Sequence, residues 1–203
     1  MLHEPDEFQE IRDAVRQLCR QFPDEYFREV DAQRAYPEAF VDALIAAGWL
    51  AAMIPEEYGG TGLGLAAASV IMEEINRAGG NAGAVHGQMY NMGTLLRSGS
   101  AAQKQKYLPD IAAGRLRIQA MAVTEPTTGT DTTKIKTTAV RKDGRWVVNG
   151  QKVWISRVQH SDLMILLART TPLPEVKKKS EGLSVFIVDL HQAVGRGLEV
   201  RPI

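Results

Sequence analysis

Residues 121–156 read MAVTEPTTGTDTTKIKTTAVRKDGRWVVNGQKVWIS, and the fold turns on how this stretch is parsed. Asp143-Gly144 and Asn149-Gly150 are two-residue turn signals, because Asp, Asn and Gly tolerate the positive φ angles of tight hairpins. Each pair is flanked by short runs rich in β-branched and aromatic residues. This predicts three antiparallel strands in a meander, over residues 137–142, 145–148 and 151–156. The meander would carry Trp154-Ile155-Ser156 back toward Thr124-Glu125-Pro126 and build one site from two distant pieces of chain.

On the N-terminal side the period is helical. Phe8, Ile11, Val15, Leu18 and Phe22 recur at helical spacing until Pro23. Pro37 suits a first helical turn, and Phe40, Val41, Leu44 and Ile45 form the next apolar face before Gly48. The glycines and proline of Ile54-Pro55-Glu56-Glu57-Tyr58-Gly59-Gly60-Thr61-Gly62 mark a loop. Helices are predicted over residues 65–78, 81–97 and 101–111, separated by Gly79-Gly80 and closed by Gly114. From Arg117 the period becomes strand-like, with further apolar runs at 163–168 and 183–190 and a strand starting at 198–203. Between them, Pro172, Pro174 and Lys177-Lys178-Lys179 mark an exposed loop. The expected fold class is α+β: an all-α domain over residues 1–117, then a β-barrel- or sandwich-like domain over 118–203. The ending Arg201-Pro202-Ile203 has no cap, turn or polar tail, so the β-domain is expected to be incomplete there.

Composition narrows the function classes. The 24 basic and 24 acidic side chains cancel, which gives no general case for nucleic acid or a membrane surface as partner. Cys19 is the only cysteine, so no intrachain disulfide is possible, in keeping with a reducing compartment. The start MLHEPDEFQE is acidic and polar, unlike a signal or transit peptide, and no apolar run approaches the ~20 residues of a membrane helix. The expectation is a soluble, cytoplasmic protein.

Some residues offer chemistry by themselves. The loop from Thr127 to Thr133, with Gly129 and Thr130, can present N–H and O–H donors to an anion such as a pyrophosphate. On spacing alone an ordinary polar turn is the plainer reading, and neither GxGxxG nor GxxxxGK[ST] is present. On one strand face, Trp154 could stack on a planar ring while Ser156 donates to its edge. The competing reading is a core tryptophan. His3, His86, His160 and His191 are scattered away from carboxylate or cysteine clusters, which argues against a metal site. Glu73 and Glu74 are helix neighbours whose side chains diverge. The lysine run at 177–179 reads as a solvated loop or as a contact to a phosphorylated substrate.

Three ordered motifs say more together. Ile-Pro-Glu-Glu-Tyr-Gly-Gly-Thr-Gly-Leu-Gly from Ile54, Val-Thr-Glu-Pro-x-x-Gly-Thr-Asp from Val123 and Asn-Gly-Gln-Lys-Val-Trp-Ile-Ser from Asn149 resemble the acyl-CoA dehydrogenase family. The resemblance covers essentially the whole chain. It implies a helical N-terminal domain and a middle β-domain followed by a C-terminal four-helix domain, with FAD between the latter two. It also implies α,β-dehydrogenation of an acyl-CoA thioester: a carboxylate removes the α-proton and the β-hydride passes to the flavin. Electrons then leave to an electron-transfer flavoprotein, and the full-length protein is expected to be a homo-oligomer.

Carried over by position, Met121, Val123 and Thr124 are similar to the strand along the flavin, with Thr124 bonding its pyrimidine edge. Gly129 and Thr130 resemble positions near the FAD pyrophosphate, Thr130 also near the acyl-CoA. Trp154 resembles the residue packed over the isoalloxazine, and Ser156 the hydroxyl reaching N5 or its neighbour. Gln88 and Met89 are candidates for the acyl-pocket wall. Thr127-Thr128 departs from the small pair common after Glu-Pro, and Arg157-Val158-Gln159 from an Asn-Gly-rich turn. The family's catalytic glutamate belongs to the C-terminal domain, so no catalytic base is assignable here and Glu125 reads as structural. A non-catalytic remnant or interaction module, an acyl-CoA oxidase and a flavin monooxygenase relative are the alternatives. The chain alone is expected to hold FAD weakly or not at all.

Overall fold

The computed structural model describes residues 7–203; His3 and the first residues of the acidic N-terminal stretch lie outside them. The chain divides into two compact units between Arg117 and Ile118. The first is helical and the second is built on a mixed β-sheet, so the order is α then β.

In the helical unit, α1 (Gln9–Cys19), α3 (Glu38–Ala46), α4 (Leu65–Arg77), α5 (Gly83–Ser98) and α6 (Ala101–Ala112) follow the apolar spacing. A further helix, α2 (Asp24–Ala32), lies between Pro23 and Pro37, where the pattern announces none. It has no fully buried residue, but Tyr26 and Phe27 pack on the core and Tyr26 Oη accepts the Phe40 N–H at 3.2 Å. Phe40 is fully buried and meets the Phe22 and Phe27 rings edge-on, each at 5.2 Å. Such a ring contributes about 1.5–3 kcal/mol by burial, with more from the edge-on pairs. Ser100 caps α6 by accepting the Gln103 N–H at 3.2 Å, while Gln103 returns its side chain to the Ser100 N–H.

Helices α1 and α4 are joined by charge. Glu74 is 1% exposed and accepts Arg12 Nη1 at 2.7 Å and Arg16 Nε at 2.6 Å. Arg12 also reaches Glu73 at 2.8 Å, so two carboxylates that diverge along the helix share one cation. A buried carboxylate left without these partners would cost several kcal/mol.

The second unit contains β1 (Ala120–Ala122), β2 (Thr138–Lys142), β3 (Arg145–Asn149), β4 (Leu163–Arg169) and β5 (Leu183–Asp189) in one sheet. Strand β4 is central: β5 runs antiparallel along one edge, and β1 and the start of β2 are parallel on the other. Its near-continuous apolar run suits a strand covered on both faces. Ala120, Ala122, Met164, Leu166 and Leu190 form the core on one side of the sheet.

Two expectations of the meander are corrected. The Asp143-Gly144 turn forms, with φ of 49° and 76°, and β2 and β3 pair antiparallel. Residues 151–156 form no strand against β3. Neither Asn149 nor Gly150 has a positive φ, so their pair is not a tight hairpin turn. Gly150 is needed for proximity, because a Cβ there would lie 2.2 Å from Thr137 Oγ1 and 2.7 Å from Thr137 Cα. Residues 198–203 likewise form no strand; only an isolated bridge links Val194 and Leu198.

Candidate functional site

Strand β1 fixes the first piece of the site. Met121 pairs with Ile165 of β4 and is half-buried, and the chain then leaves the sheet through Val123 and Thr124. Glu125 and Thr128 exchange backbone hydrogen bonds at 2.9 and 3.1 Å, which folds Pro126-Thr127 into a tight bend. Beyond it Gly129 and Thr130 are exposed, and nothing lies within 4 Å of a Cβ added at Gly129. Asp131 closes the loop by accepting Thr133 N–H at 3.2 Å and Thr133 Oγ1 at 2.6 Å. The Thr133 hydroxyl first, and then the Lys134 ammonium, hold its carboxyl below the ordinary aspartate range.

Released from β3, the second piece is stitched to the first. Val153 N–H donates to Thr124 O at 2.9 Å. Lys152 Nζ donates to Val123 O and to Glu125 Oε1, both at 2.9 Å. Glu125, 5% exposed, also accepts the amides of Lys136 at 2.7 Å and Thr137 at 2.9 Å. Burial alone would raise this carboxyl; the two amides and the Lys152 ammonium outweigh it and bring it to about 2. The Glu125 carboxylate is therefore ionised, buried and bound by three donors, which holds the segments together and keeps it from taking up a proton near neutral pH.

The clasp puts Thr124 next in chain to Glu125 and Trp154 two positions beyond Lys152, so both motifs meet at one crossing. Trp154 is 70% exposed, contrary to a place in the core. Its φ of +61° is left-handed, so the regular alternation that would put Trp154 and Ser156 on one strand face does not hold. Arg157 repeats the strain at φ +60°. Ile155, between them, packs on the sheet core and anchors the exposed pair. Ser156 is exposed and Thr124 half-exposed, and among the described residues neither hydroxyl has a hydrogen-bond partner. The crossing thus offers an exposed indole, uncommitted hydroxyls and an open polar loop to a ligand.

Other candidates fall elsewhere. Gln88 and Met89 are buried on α5, Met89 in the helical core. His86 meets the Tyr90 ring edge-on at 4.9 Å, and His191 Nε2 pairs with Asp162 at 2.6 Å. Among the described residues no three His, Cys, Asp or Glu side chains converge as metal ligands. Lys177, Lys178 and Lys179 are exposed, and the Lys177 and Lys178 amides are held by Glu181. Lys152 lies inside the Asn-Gly-Gln-Lys motif, but nothing in its spacing shows that its ammonium fastens Glu125. Arg169 falls at the start of the stretch 169–180 expected to be an exposed loop; instead it ends β4 and is 6% exposed.

A helical unit followed by a mixed-sheet unit with this crossing defines a two-domain scaffold of the acyl-CoA dehydrogenase type. Residues 5–115 match the acyl-CoA dehydrogenase N-terminal domain and residues 120–203 the acyl-CoA dehydrogenase middle domain. The chain belongs to the acyl-CoA dehydrogenase family. It is 34% identical to mitochondrial isovaleryl-CoA dehydrogenase of Pongo abelii over 91% of this chain and 44% of that protein. It is 32% identical to mitochondrial short-chain specific acyl-CoA dehydrogenase of Mus musculus, over 91% of this chain and 45% of that protein. Acyl-CoA dehydrogenase from Geobacillus kaustophilus superposes with a TM-score of 0.82 at 29% identity, covering 93% of this chain and 49% of that one. The chain spans less than half the length of these relatives.

Proposed function

We propose that this chain supplies the flavin-facing part of an FAD-dependent acyl-CoA dehydrogenase. The observation that carries the reading is the Glu125–Lys152 clasp, which joins the Thr124 and Trp154 motifs and leaves an exposed indole and uncommitted hydroxyls beside them. These residues fit a flavin: the Trp154 indole offers a flat apolar face, Thr124 and Ser156 offer edge donors, and Met121 and Val123 line the approach. Gly129 and Thr130 offer donors to a pyrophosphate, which FAD and the acyl-CoA substrate both carry, and Thr130 serves the substrate. When bound, the flavin would accept the β-hydride of the thioester. Fixed donors at Thr124 and Ser156 would stabilise the negative charge this brings, without reorganising.

The base that removes the α-proton is not Glu125, whose carboxylate is consumed by the clasp. That same observation favours a second reading, in which these 203 residues keep the fold without turning over by themselves. An electron-transfer flavoprotein as acceptor, a homo-oligomer as the working assembly and a cytoplasmic location belong to the proposal.

Fluorescence titration with FAD tests the reading. Weak binding is expected, lost in Trp154→Ala and reduced in Ser156→Ala, with the thermal midpoint unchanged because both side chains are exposed. Equal FAD affinity in parent and Trp154→Ala would overturn it. Anaerobic bleaching of the flavin band by an acyl-CoA panel would reject the non-catalytic reading.

A further inference from the structure

Arg169 is 6% exposed, yet every acceptor its side chain has among the described residues is a backbone carbonyl. Nη2 donates to Thr133 O at 2.8 Å and to Lys179 O at 3.2 Å. Nη1 donates to Glu181 O at 3.0 Å and to Thr171 O at 3.5 Å. Its own amide donates to Thr137 O at 2.8 Å, so backbone and side chain work from one position. A buried cation is costly and is usually matched by an anion. Here carbonyl dipoles solvate it, in a spread only a planar guanidinium can satisfy; a lysine offers three donors from a single point.

Both loops it joins carry exposed polar groups. Thr133 closes the loop bearing Gly129 and Thr130, and Asp131 fixes the same turn from the other side. Lys179 and Glu181 belong to the loop bearing the lysine run. Without Arg169 no side-chain bond among the described residues crosses between these loops.

We propose that Arg169 is a positioning residue: its guanidinium locks the Thr130 loop and the Lys177–Lys179 loop into one body, which presents their donors in fixed register to a pyrophosphate-bearing ligand. The proposal rests on the reading of the Thr130 loop given above, and it concerns a residue to which that reading gives no role. FAD and acyl-CoA share the pyrophosphate, and titration with each separates them.

Hydrogen–deuterium exchange on the full chain tests the lock. In Arg169→Gln, amides of residues 130–135 and 177–182 should exchange together about tenfold faster, while those of β4 stay protected. In Arg169→Ala, ethylguanidinium should restore both loops by refilling the vacated space. Acceleration of one loop alone, acceleration across all of residues 118–203, or failure of the rescue would overturn the proposal. Should these variants not fold, Arg169→Lys keeps charge and stem without the fork and is judged by the same two loops. FAD titration separates the lock from the reading it rests on. A parent chain that binds neither FAD nor acyl-CoA removes the pyrophosphate-presenting role, and exchange still judges the lock. A parent that binds FAD, with Arg169→Gln binding it and acyl-CoA equally well, removes the positioning role.

Discussion

Glu125 lies between Thr124 and a proline in a loop, a position that says little about burial. Its carboxylate accepts two amides and an ammonium, which lowers its pKa from 4.5 to about 2. The lowered pKa means that folding favours the ionised form. This contribution is fully present above pH 4.5 and is lost as the pH falls through about 2. The shift corresponds to roughly 3 kcal/mol for a group this buried. Glu125→Gln is therefore expected to be less stable than the parent at neutral pH, with the gap closing on acidification toward pH 2. Urea unfolding at a series of pH values checks this, and a gap independent of pH would refute it. The sequence makes Trp154 visible as an aromatic in a strand-like run. Its exposure depends on the left-handed backbone at that residue, which no local pattern announces for a tryptophan.

At the scale of elements, two Xaa-Gly pairs that look alike have different work. Asp143-Gly144 makes the turn because its ends are pulled together by cross-strand pairing, Val140 with Val147 among the pairs. Asn149-Gly150 makes none, because the following segment finds better partners in Val123, Thr124 and Glu125. Those partners lie far back in the chain, so the competition is invisible to a local reading. Gly150→Ala should lower stability by about 1–3 kcal/mol, since its Cβ would press on the Thr137 backbone. An unchanged urea midpoint would contradict the close approach. Helix α2 escaped the apolar pattern for a related reason: only one side of it, with Tyr26 and Phe27, is drawn into the core, and none of its residues is fully buried.

For the whole molecule, the α-then-β order is legible because the hydrophobic period changes near Arg117. The parallel pairing of β1 with β4 is not, since it joins Ala120 to Met164 across the intervening hairpin. Charge and surface act together at this scale. The net charge is zero with a pI near 6.9, and Val140, Val147 and Val185 are 60%, 44% and 51% exposed. Little repulsion then opposes contact between apolar surfaces. Light scattering across a pH series should show the greatest association near pH 6.9, relieved by Val147→Thr with Val185→Thr. Association indifferent to both pH and these substitutions would exclude this cause.

The Glu125–Lys152 clasp also has a place in time. The β2–β3 hairpin closes between neighbours and can form in about 1–10 μs. The clasp must wait until that hairpin has turned the chain back, and the β1–β4 pairing closes a longer loop still. Interactions made after the folding barrier govern how fast a protein comes apart more than how fast it assembles. The ligand-facing crossing therefore closes after the hairpin rather than with it, and the buried ion pair in it bears more on how fast the sheet unit comes apart than on how fast it assembles.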